Sequence, residues 1–169
     1  MDLCKTIIAA ALAATAVPAA AAPVAAPTPA QGKALLLIPL TLTKIDDLDF
    51  GTVVTSPVSG TVTLNASTGA RSFAGGVTGV AGDVGHRARF AGAGSPNQQV
   101  IVVVTPPASL DKGPDSIPVL ALTLDGSPIR TIDPVAKTFF VGVGGIIQIN
   151  ADQPEGLYSA TFDVTANYL

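Results

Sequence analysis

The chain has 169 residues, a length that suits one domain or a small domain with a tail. Charged residues make up 12% and hydrophobic residues 48%, with 17 Gly and 14 Pro, a mixture that disfavours a helical bundle, a coiled coil and a charged disordered tail. The formal net charge of −3 gives no basic footprint for nucleic acid. The composition therefore favours a β-rich, exported protein.

The first 21 residues have the features of a secretory signal peptide. Lys5 precedes a short hydrophobic core at Ile7–Leu12 and a run of alanines. Cleavage after Ala21 satisfies the small-x-small rule, and cleavage one residue earlier is the alternative. Pro18 and the shortage of large apolar residues disfavour a membrane anchor. We expect residues 1–21 to be removed together with the only cysteine, Cys4, leaving no membrane span.

Residues 22–33 form a Pro/Ala-rich leader, which has too little apolar surface to fold and is predicted to be an extended linker. From residue 34 to residue 169, short apolar runs are separated by Gly, Pro and Asp. This spacing predicts an all-β sandwich or barrel without a helix of ordinary length. In the strand predicted at 60–65, Val62 and Leu64 face one side and threonines the other.

The middle of the chain contains strands with apolar residues on both faces, at 100–104 and 119–124. Such strands are predicted to lie centrally or beneath another layer. Residues 139–150 are interpreted as two halves of a late hairpin or as one bulged strand. Two Gly- or Pro-containing stretches are predicted to be loops: 75–85 (with an irregular strand as the alternative) and 109–118.

Two alternating apolar rows lie near the two ends of the predicted domain. The first has one face made of Leu36, Ile38, Leu40 and Leu42. Pro39 lies on the opposite face and cannot donate to a ladder, so this strand is predicted to be paired on one side there, or bulged. The second row, at 156–169, has one face made of Tyr158, Ala160, Phe162, Val164, Ala166 and Tyr168. Period-2 order over this length predicts a strand with one buried face.

The second row predicts an unpaired sheet edge, because no strand follows the predicted final strand to pair with it. Asp163 is the only charged residue on this strand that would discourage pairing with another chain. One physical solution is a strand supplied by another chain.

Residues for catalysis or metal binding are sparse. His86 is the only histidine and is interpreted as an exposed residue at a loop edge. Asp46, Asp47 and Asp49 are followed by Gly51, but the spacing of an EF-hand loop is not met, so turn-forming, solvated carboxylates are predicted. We therefore expect no enzyme activity, no cofactor and no metal.

The segments 40–44, 48–53 and 156–168 resemble a bacterial domain-of-unknown-function family, number 4402. The resemblance covers about residues 34–169, and that family is in turn similar to spore-coat-protein-U-like pilins of the archaic chaperone–usher class. The resemblance implies an immunoglobulin-like β-sandwich that lacks its final strand. It also implies a structural subunit of a cell-surface fibre (a pilus or fimbria), assembled by donor-strand exchange. A periplasmic chaperone lends the missing strand first, and the N-terminal extension of the next subunit then replaces it.

The resemblance also implies roles for particular residues. The pilin pattern has a glycine fourteenth from the end and an aromatic residue next to last, and Gly156 and Tyr168 stand at these positions. The implied donor-strand residues are Leu36, Ile38, Leu40 and Leu42. The implied acceptor-strand residues are Gly156, Tyr158, Phe162, Val164 and Tyr168. An alternative is that residues 34–43 form the domain's own first strand. The disulfide usual in archaic pilins has no counterpart in this sequence.

The expected partners are identical or related subunits, a periplasmic chaperone and an outer-membrane usher. The protein is expected in the periplasm during transit and then at the cell surface or outside the cell. The alternative function is a self-complete secreted or periplasmic β-sandwich module that binds a surface ligand.

Overall fold

The structure, a computed structural model, describes residue 24 and residues 27–169. The predicted signal peptide at 1–21 lies outside these residues. Contacts divide the chain into a unit at 1–35 and a unit at 36–169. The described part of the first unit has no helix or strand, and its side chains are exposed.

The second unit is built from antiparallel strands. In chain order they are β1 (Thr41–Asp46), β2 (Val53–Val54), β3 (Gly60–Leu64), β4 (Arg71–Gly75), β5 (Thr78–Gly79), β6 (Ala88–Ala93), β7 (Gln99–Thr105), β8 (Ser109–Lys112), β9 (Asp115–Leu124), β10 (Ile129–Thr131), β11 (Thr138–Ile149) and β12 (Asp163–Tyr168). The all-β prediction is confirmed. Within the part of the chain that the structure describes, there is no helix long and apolar enough to cross a membrane.

Two main sheets form the sandwich. The larger has the order β1-β6-β11-β3-β4, and β9 pairs with β11 and with β8. The smaller has the order β10-β7-β12, so that β7 is central and β12 is an edge strand. The strands β2 and β5 form a separate short ribbon. The long strand β11 organises the larger sheet, because it pairs with β6 through Thr138–Val143 and with β3 through Gly145–Ile149.

The apolar side chains form two cores. The first contains Ala88, Phe90, Val100, Val102, Ile132, Phe139, Val141 and Val143, which come from both sheets and the loop after β10. The second contains Phe50, Val62, Leu64, Val77, Ile117, Ile147 and Ile149. No residue of the smaller sheet belongs to the second core or is packed against it. The smaller sheet therefore covers only one half of the larger one.

The prediction of a loop at 109–118 is wrong. Residues Ser109–Lys112 and Asp115–Leu124 pair as the hairpin β8–β9, which turns at Gly113 with a φ of +60°. Polar residues on both strands interrupt the period-2 alternation that would identify these strands in the sequence. Leu110 and Ile117 pair across the hairpin and pack into the second core.

The late-hairpin interpretation of 139–150 is also wrong, and the alternative of one bulged strand is confirmed. Strand β11 is continuous, and its pairing with β9 shifts register between Ile146 and Ile147. Its glycines mark close approach of strands rather than a turn. A Cβ at Gly144 would overlap the carbonyl oxygen of Leu64 on β3.

Candidate functional site

A cleft of about 800 Å³ opens over the second core. Its floor is the inner face of the larger sheet, with Ile117, Val119 and Leu122 from β9 and Ile147 and Ile149 from β11. The buried residues of this floor are the ones that the smaller sheet leaves uncovered. The cleft is therefore an unfilled part of the sandwich interior.

Two prolines explain why the cleft is open. The ladder between β12 and β7 begins at the pair Asp163 and Thr105, and the next residues in the direction of the cleft are Pro106 and Pro107. Proline has no N–H to donate, so β7 ends there. Without a partner, the chain before Asp163 does not continue β12. The strand predicted over 156–169 is therefore wrong for 156–162, although the alternation of half-buried side chains holds from Phe162 to Tyr168.

One wall of the cleft is the segment 153–160, which is fixed mainly by side chains. Tyr158 Oη donates to the carbonyl oxygen of Pro154 at 2.7 Å and accepts from Nε2 of the buried Gln153 at 3.0 Å. The main chain of Ser159 pairs with that of Asp111. Among the described residues, this is the only backbone–backbone pairing of the wall at 153–160. The carbonyl oxygens of Pro154 and Glu155 accept from side chains, so the other main-chain groups of the wall are largely unpaired.

The opposite wall is the segment 47–55, which is held by Arg71. The guanidinium donates to the carbonyl oxygens of Phe50 at 2.7 Å, Thr52 at 3.1 Å and Val80 at 3.1 Å. It also lies 4.9 Å from the centre of the Phe73 ring, within cation–π distance. One charged side chain thus ties the wall to the β2–β5 ribbon and to β4.

The lining of the cleft carries acidic side chains, from Asp47, Asp49, Asp83 and Glu155, and includes no lysine or arginine among the described residues. The hydroxyl of Thr52 donates to Asp83 Oδ2 at 2.6 Å, which together with backbone N–H groups of Gly85 and Thr52 holds the pKa of Asp83 below its usual value. Neighbouring cations compensate part of this charge, because Lys44 pairs with Asp47, Arg71 lies near Asp83, and Lys112 donates to the carbonyl oxygen of Glu155. Among the described residues, the carboxylates of Asp49 and Glu155 form no ion pair.

The model of the family described as a domain of unknown function (DUF4402) matches residues 40–168. The chain belongs to this family. Comparisons with curated proteins and with solved structures find no match. The matched region begins one residue before β1 and ends at the last residue of β12, so both walls and the floor of the cleft lie inside the DUF4402 domain.

The structure separates the four residues of the predicted donor row. Leu36 is 87% exposed and Ile38 is 51% exposed, and neither lies in a strand. Leu40 and Leu42 pack against the first core of their own DUF4402 domain. The predicted strand at 34–43 is wrong for its first part, because β1 begins at Thr41 and continues through Asp46 along β6. The donor role itself stays a prediction.

The residues of the predicted acceptor strand are also divided. Phe162, Val164 and Tyr168 pack against the first core, whereas Tyr158 packs against the second core and lines the cleft. Gly156 lies on the cleft wall with a φ of +143°, a conformation that favours glycine. In the DUF4402 domain these residues therefore run from the cleft to the far end of β12, and their role in strand capture stays a prediction.

Sequence reasoning did not find the floor of the cleft. The only signal for it was the apolar composition of both faces at 119–124 and the Ile-rich end of β11. The lone histidine is placed as expected: His86 is exposed, and its main chain pairs with that of Asp49. No group of three His, Cys, Asp or Glu side chains suited to a metal ion lies in the described portion of the DUF4402 protein.

Proposed function

We propose that this protein is an exported structural subunit of a cell-surface fibre, assembled by donor-strand exchange. The single observation that carries the proposal is the open cleft over the second core, beside a wall whose main-chain groups are largely unpaired. An extended segment from another copy would bury its apolar side chains on the floor and pair its backbone with that wall. A periplasmic chaperone and an outer-membrane usher complete the proposed assembly route.

The best occupant within this chain is the apolar segment 36–38. Leu36, Leu37 and Ile38 are partly or largely exposed and are not part of any sheet. Burying a Leu or Ile side chain is worth about 1.5–3 kcal/mol. Three such side chains therefore provide several kcal/mol that the protein gains only when another surface covers them.

Charge also favours this occupant. Lys33 is the only charged residue in the predicted leader at 22–33, and it precedes the apolar segment 36–38 by three residues. Among the described residues, Asp49 and Glu155 on the rim of the cleft form no ion pair and complement it. Because the pair would lie at an exposed rim, we expect it to affect the association rate and its salt dependence more than the affinity.

The positions of donor and acceptor fit an open chain of subunits. Tyr168 Oη donates to the carbonyl oxygen of Ile38 at 2.9 Å, so the apolar segment 36–38 leaves the sandwich at the C-terminal end of β12. The cleft lies beyond the other end of β12, beside Phe162. Six residues of extended strand separate the two ends, about 20 Å. A contact between two different surfaces that does not close on itself produces a filament.

The test uses the mature protein and the variant Leu36→Asp. Because Leu36 is 87% exposed, the substitution should leave folding unchanged, whereas a carboxylate in the apolar cleft should abolish polymers. Light scattering and electron microscopy measure assembly, and Val24→Asp, at a site that is 96% exposed, is the matched control. Polymers of Leu36→Asp at the wild-type level would overturn the proposal.

A second candidate function is supported by the size of the cleft. A volume of about 800 Å³ and an apolar floor are within the range of small-molecule sites. In this case the domain is a self-complete module that binds an apolar ligand. A monomeric wild-type protein that binds an apolar fluorescent probe at one site per chain would favour the ligand-binding module, and polymers that exclude the probe would favour the fibre.

A further inference from the structure

We infer that Ile38, Ser95 and Tyr168 form a clasp that holds the apolar segment 36–38 at the C-terminal end of β12 and so presents it to another copy. The directing role rests on the proposed function, whereas the clasp itself can be measured in the monomer.

The clasp is a closed set of three hydrogen bonds. The N–H of Ile38 donates to Ser95 Oγ at 2.9 Å, the hydroxyl of Tyr168 donates to the carbonyl oxygen of Ile38 at 2.9 Å, and the N–H of Ser95 donates to Tyr168 Oη at 2.7 Å. Ser95 is only 8% exposed. Both main-chain polar groups of Ile38 are thus held by side chains from distant parts of the sequence.

The residues around the clasp leave a close-fitting space for the hydroxyl of Tyr168. A Cβ at Gly94 would overlap Tyr168 Oη and would also crowd Leu40 and Ile132. Only glycine leaves space for the ring to reach Ser95. The clasp therefore occupies a fitted position rather than an open surface where any polar group could substitute.

The closed clasp limits how far Leu36 can move from the fixed main chain of Ile38. Leu36 is two residues from Ile38, so with the clasp closed its Cα reaches no further than about 7 Å from that point. The near end of the cleft, at Phe162, is six residues along β12 from Tyr168, or about 20 Å. The apolar segment 36–38 cannot cover this distance within its own chain.

Opening the clasp changes this limit. The next fixed main-chain point is Thr41, which pairs with Ala93 on β6. Leu36 is five residues from Thr41, a reach of about 17 Å, which is more than twice the reach with the clasp closed. An opened clasp therefore lets Leu36 move through a much larger volume, whereas a closed clasp holds it near the C-terminal end of β12.

The first measurement is hydrogen exchange of the Ile38 amide in dilute, monomeric mature protein. Ser95→Ala removes its acceptor, and Tyr168→Phe removes the other two bonds of the clasp. We expect exchange about fivefold faster in each variant. Ser72→Ala, which removes an exposed hydroxyl on β4, is the matched control and should leave the rate unchanged. Unchanged exchange in both clasp variants would refute the clasp.

The second measurement tests whether the clasp promotes insertion into another copy. After signal removal the chain has no cysteine, so Leu36→Cys combined with Ala160→Cys on the cleft wall reports which segment fills the cleft. On oxidation, the otherwise wild-type chain should give intermolecular ladders. The same pair in the Tyr168→Phe background should give ladders several-fold more slowly, because the freed segment is no longer held in position for a neighbouring copy. Ladders formed at the same rate in both backgrounds would overturn the directing role.

The two proposals fail in different ways. If the wild-type protein forms neither polymers nor ladders, the fibre proposal fails and the directing role fails with it. The exchange rates of the Ile38 amide still decide whether the clasp holds the apolar segment 36–38.

Discussion

Replacing the two prolines after β7 should close the cleft. In the variant Pro106→Thr/Pro107→Val, both positions regain an N–H, and the ladder that now stops at Thr105 and Asp163 can extend toward the cleft. Two added ladder bonds are worth about 1–3 kcal/mol in total. Loss of two prolines costs about 1–2 kcal/mol through the unfolded state. These terms nearly cancel, so the free energy of unfolding should change little.

Assembly should respond much more strongly than stability. An extended β12 would occupy the space that the apolar segment 36–38 of another copy would enter. Denying burial to Leu36 and Ile38 removes about 3–6 kcal/mol, which is more than a hundredfold in affinity. Polymer yield by light scattering and amide protection at 160–162 by hydrogen exchange are the two readouts.

The control is Pro134→Thr, which removes an exposed proline from a turn outside the cleft and should leave assembly unchanged. A double variant that gains protection at 160–162 and still polymerises like the wild type would show that the donor does not bind in the cleft.

Three other substitutions test parts of the same structure. Leu40→Ala should lower the free energy of unfolding by about 1–2 kcal/mol in urea titrations, because Leu40 is half-buried against the first core; no loss would contradict that packing. Asp83→Asn should remove a stabilising effect that is present above about pH 4 and is lost as the pH falls through the lowered pKa of Asp83; identical acid-unfolding curves would contradict it. Arg71→Lys should accelerate hydrogen exchange at 50–54 while leaving β12 unchanged, because an ammonium cannot bridge three carbonyl oxygens in the same geometry.

Much of the fold follows from period-2 patterns in the sequence. The alternation at 60–65 predicts β3 with Val62 and Leu64 inside, and both are buried. The apolar run at 100–104 lies in β7, which is central in its sheet as expected. These predictions succeed because a strand with one buried face imposes its pattern locally, whichever strands lie beside it.

The candidate site could not be predicted in the same way, because its shape depends on pairing between distant segments. The row at 156–169 alternates throughout, yet only Asp163–Tyr168 forms a strand. The cause lies about 50 residues earlier, where Pro106 and Pro107 end the partner strand. A pattern of side chains shows which face of a strand is apolar, but it contains no information about the length of the neighbouring strand.

The predicted donor row also shows that side-chain alternation does not reveal where a strand begins, and here the position of that boundary matters for the proposed function. Leu36, Ile38, Leu40 and Leu42 form one uninterrupted alternation in the sequence. In the structure, Leu40 and Leu42 complete the first core of their own chain, so that core does not depend on a partner. Leu36 and Ile38 stay exposed next to the clasp at Tyr168, while the second core stays open under the cleft. A single alternating apolar row thus stabilises its own subunit with one half and, in the proposed fibre, a neighbouring subunit with the other. The boundary between the two halves is the point where Ser95 and Tyr168 hold the main chain of Ile38.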